Sequence, residues 1–144
     1  MLVGGKPDQV AHAKAQAAGI GADRLIFTGE QPSDAIPDFL DAADVLVSPR
    51  SSGTNTPLKI YQYLRSGRVI VATRLLTHTQ VLSDEVAVLT EPTPESFASG
   101  ILQAINDPGT AKRIGEAAKL LAETRYTYEA YLQRTREACA ALVA

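Results

Sequence analysis

The stretch Ser51 to Thr73, SSGTNTPLKIYQYLRSGRVIVAT, reads as a small polar loop, a helix and a buried strand in succession. Ahead of it, the apolar run Val45-Leu46-Val47 has the composition of a parallel-sheet strand, which Ser48-Pro49 closes. The loop from Arg50 to Thr56 then delivers the chain to Pro57. Thr56 suits the N-cap and Pro57 the first helical position, where a missing N–H costs nothing. Such a start predicts free amide donors at Leu58, Lys59 and Ile60, at the positive end of the helix dipole and beside the Lys59 ammonium. Phosphate is the ligand that suits this end. Gly67 supplies the helix stop, and Val69 to Ala72 the next strand.

Outward from this core the same alternation repeats. Strands are expected at Leu2-Val3, Leu25-Ile26-Phe27 and Val86 to Leu89, and the absence of polar alternation in these runs predicts burial on both faces. Helices are expected over Pro7 to Ala18 and Ala35 to Ala43, with Gly19 ending the first. After Leu89 come Thr93-Pro94 and a helix to Ile105, an Asp107-Pro108-Gly109 turn, a helix to about Glu123 and a last helix from about Thr127 to Val143. The order predicts an α/β fold: a Rossmann-like parallel sheet with helices on both faces and a C-terminal helical tail.

The chain has 144 residues, the size of one domain. Net charge of −2 gives no electrostatic case for nucleic acid or an anionic membrane. Cys139 is the only cysteine, so neither an internal disulfide nor a thiolate metal cluster can form, and a reducing, cytoplasmic setting is expected. No run approaches the roughly 20 apolar residues of a transmembrane helix, and no signal peptide is expected.

The central stretch resembles the nucleotide-sugar site of the retaining GT-B glycosyltransferases called group 1, the relatives of glycogen and sucrose synthases. Their signature places seven residues between one Glu and a second, then a helix end, a Gly and an apolar strand. The matching positions here are Thr54, Gln62, Gly67 and Val69 to Thr73, so both carboxylates are replaced. A subset of the family opens with the same Thr54-Asn55-Thr56-Pro57-Leu58-Lys59 wording and has an aromatic-Glu-aromatic step where this chain has Tyr61-Gln62-Tyr63. The resemblance extends through Val3-Gly4-Gly5, Phe27-Thr28-Gly29, Ala43-Asp44-Val45 and the helical tail. It implies one half of a GT-B fold: a single nucleotide-sugar-binding domain over residues 1–144, lacking the family's opening strand and the N-terminal domain that carries the acceptor site.

By resemblance, Gln62 stands where a Glu accepts from both ribose hydroxyls. An amide can take that place without the charge that strengthens such bonds, and it reads equally as a solvent-facing glutamine. Thr54 and Asn55 stand next to the donor sugar and phosphates, or merely fix the loop. Gly53 permits close backbone approach or a simple turn. Leu58, Lys59 and the Thr56-Pro57 start read as the diphosphate cradle, with Arg50 and Arg65 as further phosphate partners by charge alone. Gly4 and Gly29 end strands at the carboxyl edge, which in the family borders the nucleobase.

Other residues carry weaker signals. His12 and His78 read as solvent-exposed, Cys139 as a packing residue, and Ser51-Ser52 lacks a nucleophile elbow. Tyr126, Tyr128 and Tyr131 read as core packing, or as a face docking on a missing domain. The expectation is a donor-binding domain that transfers a sugar from a nucleotide-sugar with retention, without a metal or a separate cofactor, and inactive alone. The alternatives are a non-catalytic Rossmann-like module binding a nucleotide or a protein, and, with less support, a nucleotide-sugar epimerase.

Overall fold

Three apolar runs form the expected parallel sheet: β1 (Val45–Ser48), β2 (Val69–Thr73) and β3 (Val88–Thr90), in spatial order β1-β2-β3. The computed structural model describes residues 1–142, so Val143, the expected end of the last helix, lies outside the described residues. Register pairs Val45 with Val69, Ser48 with Ala72 and Thr73 with Thr90. All three carboxyl ends therefore meet at one edge of the sheet. The central strand β2 is buried at each of its five residues, as a strand covered on both faces requires.

Period-two alternation divides β2 between two cores. Ile70 and Ala72 pack with Ile60 and Leu64 of α3 (Lys59–Ser66) and with Ala118 and Ala122 of α6 (Pro108–Arg125). Val69 and Val71 pack on the other face, with Ala104 of α5 (Pro94–Asn106) and with Ile114. Helices thus cover both faces. Ile60 and Leu64 lie four apart on one stripe of α3 and are fully buried, each contributing about 1.5–3 kcal/mol by burial. At the far end of α3, Gly67 takes a left-handed conformation with φ 70° and its N–H donates to Leu64 O. A side chain there would be strained. Gly115 of α6 is held to glycine for a steric reason: a Cβ would collide with the Gly67 carbonyl oxygen.

The tail has the three expected helices, but Pro108 and Gly109 open α6 with Asp107 as its cap, where a separate turn is expected. Thr93 Oγ1 accepts from Ser96 N, Asp107 Oδ1 from Thr110 N, and Thr127 Oγ1 from Ala130 N before α7 (Tyr128–Leu142). The chain divides into two compact units, Met1–Ala42 and Ala43–Ala144, and the elements so far all belong to the second. There, the strand expected over Val86 to Leu89 runs instead from Val88 to Thr90. Val86 N and Ala87 N donate to Ser83 O and keep those two residues in a turn, although both are buried.

The first unit departs further from expectation. It contains α1 (Pro7–Gly19), a 3₁₀ turn over Ser33–Ala35 and α2 (Ile36–Asp41), the last two replacing a continuous helix over Ala35 to Ala43. Leu2-Val3 and Leu25-Ile26-Phe27 do not form strands; Leu2 and Phe27 share one parallel bridge, Gly4 and Gly29 one antiparallel bridge. Leu2 is 49% and Ile26 61% exposed. Within so short a unit no second layer covers these apolar residues, and a two-stranded ribbon without one is marginal.

Candidate functional site

At the carboxyl edge of the second unit, two strand ends and a one-turn helix enclose a buried polar cluster. Ser48 ends β1, Thr73 ends β2, and α4 (Leu76–Thr79) supplies Thr77 and His78; all four are at most 2% exposed. His78 Nδ1 lies 2.8 Å from Thr73 O and 3.2 Å from Thr73 Oγ1. A carbonyl can only accept, so Nδ1 carries the proton. Nε2, 3.0 Å from Ser48 Oγ, is then the acceptor of the Ser48 hydroxyl. Burial is the main cause that lowers the His78 pKa; the bond to Thr73 opposes it, and the Arg50 and Lys59 charges add to the lowering. The imidazole is therefore a neutral strut between β1 and β2.

The loop between β1 and α3 is fastened to this cluster by its backbone. Arg50 N donates to Thr73 Oγ1 at 3.2 Å, Thr77 Oγ1 to Asn55 O at 2.5 Å, and Gln80 Nε2 to Thr54 O at 2.5 Å. Thr54 and Asn55 stay exposed, and their side chains make no hydrogen bond among the described residues. Gly53 turns the loop at φ 124° with its Cα side against the Arg50 guanidinium, a conformation that favours glycine.

Lys59 opens α3 and is exposed, and its ammonium lies 5.5 Å from the centroid of the Tyr63 ring, a cation–π contact one turn along the helix. Desolvation, and then the nearby Arg50 charge, hold the Lys59 pKa below the ordinary lysine value. Burial raises the Tyr63 pKa, and its hydroxyl reaches Val47 O at 3.5 Å. The charges acting on Lys59 and His78 are cations alone. Arg50 and Lys59 thus stand near one another beside this cluster, while Arg74, next after β2, is paired with Asp84.

The helix start differs from expectation by two residues. Thr56 does not cap and Pro57 is not the first helical residue; α3 begins at Lys59 after Leu58. Ile60 N donates to Pro57 O and Tyr61 N to Leu58 O, closing the first turn with i to i+3 bonds. Ile60 is thus removed from the expected donors. The amides of Leu58 and Lys59 donate to no group among the described residues, and Leu58 is 83% exposed. Gln62 lies one turn on, exposed and without a hydrogen bond among the described residues.

Other expected partners lie elsewhere. Arg65 donates to Tyr126 O at 3.3 Å, so its guanidinium serves the end of α6 and not the start of α3. Tyr126 packs edge-on against Tyr61 at 5.1 Å and lines the core, whereas Tyr128 and Tyr131 are stacked at 6.5 Å and exposed. Cys139 is exposed rather than packed. His12 is exposed as expected, while His78 is not. Gly4 and Gly29 belong to the first unit, where Gly4 N donates to Gly29 O at 2.9 Å and Gly29 borders a shallow hollow of about 250 Å³ with Val10, Phe27 and Thr28.

Sequence reasoning missed His78, Thr77 and Gln80. Their signal was the flanking: Leu75-Leu76 on one side and Val81-Leu82 on the other put four polar residues inside an apolar run. Among the described residues no three His, Cys, Asp or Glu side chains converge as a metal site, and no helix is long and apolar enough to cross a membrane.

A parallel sheet with helices on both faces, whose carboxyl edge presents cations and free amides, defines a Rossmann-like half of a GT-B fold. Residues 1–107 match the family of glycosyl transferases group 1. The chain belongs to that family. Its fold is similar to that of HepE from Anabaena, solved in complex with UDP, with a TM-score of 0.85 at 23% identity over 97% of this chain and 40% of HepE. It is similar to sucrose-phosphate synthase from Thermosynechococcus elongatus, with a TM-score of 0.83 at 19% identity over 99% of this chain and 38% of the synthase. The C-terminal domain of the group 1 protein LpcC from Francisella tularensis gives a TM-score of 0.72 at 22% identity, over 85% of this chain and 66% of that domain. The chain spans about 40% of the length of HepE and the synthase. No curated protein matches it.

Proposed function

We propose that residues 1–144 serve as the donor-binding domain of a glycosyltransferase that moves a sugar from a nucleotide-sugar to an acceptor with retention. The observation that carries the reading is the start of α3: the amides of Leu58 and Lys59 have no acceptor among the described residues, and the Arg50 charge lies near enough to lower the Lys59 pKa. In this reading the diphosphate takes the free amides of Leu58 and Lys59, with both cations beside it, and its growing charge on departure is met by donors already in place. Thr54 and Asn55 face the sugar and Gln62 the ribose hydroxyls. HepE is solved with UDP and with UDP-glucose, which supports a nucleotide-sugar as the donor here. The work belongs in the cytoplasm, and a further domain supplies the acceptor site.

Calorimetric titration with UDP and UDP-sugars, with sugar transfer measured in the full-length protein, tests this. Micromolar to millimolar binding together with transfer is expected; loss of binding would remove the donor assignment. A second reading, a nucleotide-binding module without catalysis, is favoured by one observation: Thr54 and Gln62 replace both acids of the resembled signature. Binding without transfer or hydrolysis in the full-length protein selects that module.

A further inference from the structure

The one-turn helix α4 has only four residues, too few to hold itself in shape. What fixes it is the ring of His78, anchored to Thr73 O at 2.8 Å and to Ser48 Oγ at 3.0 Å. Thr77 and Gln80, the neighbours of His78 in this turn, then reach Asn55 O and Thr54 O. Each fastening to these two residues uses a carbonyl of the loop, so their side chains remain outward and free. None of the ring's bonds touches the exposed surface.

We infer that His78 is a positioning residue for the nucleotide diphosphate, spanning the ends of β1 and β2 so that α4 can set the path of residues 50–56 and the placement of Arg50. This rests on the donor-site reading above. Without the ring, α4 loses its anchor, both loop fasteners loosen together, and the cation and amides that face the diphosphate lose their common frame.

The test is made on the full-length protein with UDP as probe, by hydrogen exchange without nucleotide and by calorimetry with it. His78→Phe keeps an aromatic ring and removes both nitrogens. Exchange across residues 50–56 should rise about tenfold and UDP affinity fall about tenfold, the loss expected when one or two buried hydrogen bonds go. Exchange in Val69 to Ala72 should stay within about twofold. His78→Asn, whose amide can stand in for Nδ1–H, should recover part of both losses. Gln80→Ala, a change at an exposed residue, should loosen Thr54 to Thr56 and weaken UDP binding by a few fold, and it serves should His78→Phe not fold.

Unchanged exchange in the loop, or a loosened loop that binds UDP as tightly as before, overturns the inference. A wild-type protein that fails to bind UDP brings down the donor reading and the diphosphate role with it, while the exchange arm still decides whether His78 holds the loop.

Discussion

The rear of the carboxyl edge and its front are built from opposite materials. Ser48, Thr73, Thr77 and His78 behind the loop are buried with their side-chain polar atoms paired, and Leu64 beneath them is fully buried. Thr54, Asn55, Leu58, Lys59 and Gln62 in front are exposed. The shape of the site is thus set by residues that cannot touch a ligand, and contact is left to residues that bear little of the fold. This division explains how the two acidic positions of the resembled signature can become Thr54 and Gln62 without loss of the frame. Changes behind should therefore cost stability, and changes in front should cost or gain affinity alone.

The largest effect is expected beneath the edge. Leu64→Ala removes a fully buried side chain from α3 and should lower stability by about 2–5 kcal/mol, read as a shifted midpoint in urea. A loss under 1 kcal/mol would mean the core collapses around the gap and the rear is less rigid than its burial implies. Ser48→Ala comes next, because it leaves the buried Nε2 of His78 without its donor, at a cost of about 1–3 kcal/mol.

Acidification probes the same rear face. The folded chain depresses the His78 pKa below its ordinary 6.5, so below that pH the unfolded chain binds more protons than the folded one. Stability then rises with pH in this window and is lost as pH falls below about 6.5. Urea midpoints at pH 5 and pH 7.5 should show the drop in the wild type and a smaller one in His78→Phe. Equal drops in both would assign the acid sensitivity to another group.

Legibility in the sequence followed the same division between local and distant causes. The stop at Gly67, the buried run Val69 to Ala72 and the three helices of the tail were readable because residues within a few positions decide them. The first turn of α3 was misplaced by two residues, since Pro57 and Leu58 carbonyls accept i to i+3 bonds that a Thr-Pro pattern does not reveal. His78 looked exposed because its burial comes from Ser48, thirty positions away, and from the packing of α4. Leu2-Val3 and Leu25 to Phe27 have strand composition, but composition cannot say whether a second layer covers them.

In front, Lys59→Ala should leave stability within about 0.5 kcal/mol, as exposed changes usually do. Its effect belongs to the ligand. Removing one cation from the diphosphate should weaken UDP binding by about tenfold to a hundredfold, the worth of a charge-assisted bond. Unaltered affinity would leave the Leu58 and Lys59 amides and Arg50 as the whole anion site.

The smallest change is Gln62→Glu, and it sharpens the comparison most. A carboxylate one turn into α3 interacts favourably with the helix dipole, so stability should stay level or rise by a few tenths of a kcal/mol. The exposed side chain is free to reach a ligand, and a charged acceptor for the ribose hydroxyls should tighten UDP binding by about threefold to tenfold. Arg50 and Lys59 are cations near the start of this helix, and the added carboxylate is opposite to them in sign. It would, however, carry a negative charge toward the diphosphate where the amide carries none, and that repulsion sets the upper limit of the gain. Calorimetry on the variant decides the point: equal or weaker affinity takes Gln62 out of the ribose site and leaves the front of the edge as a phosphate cradle only.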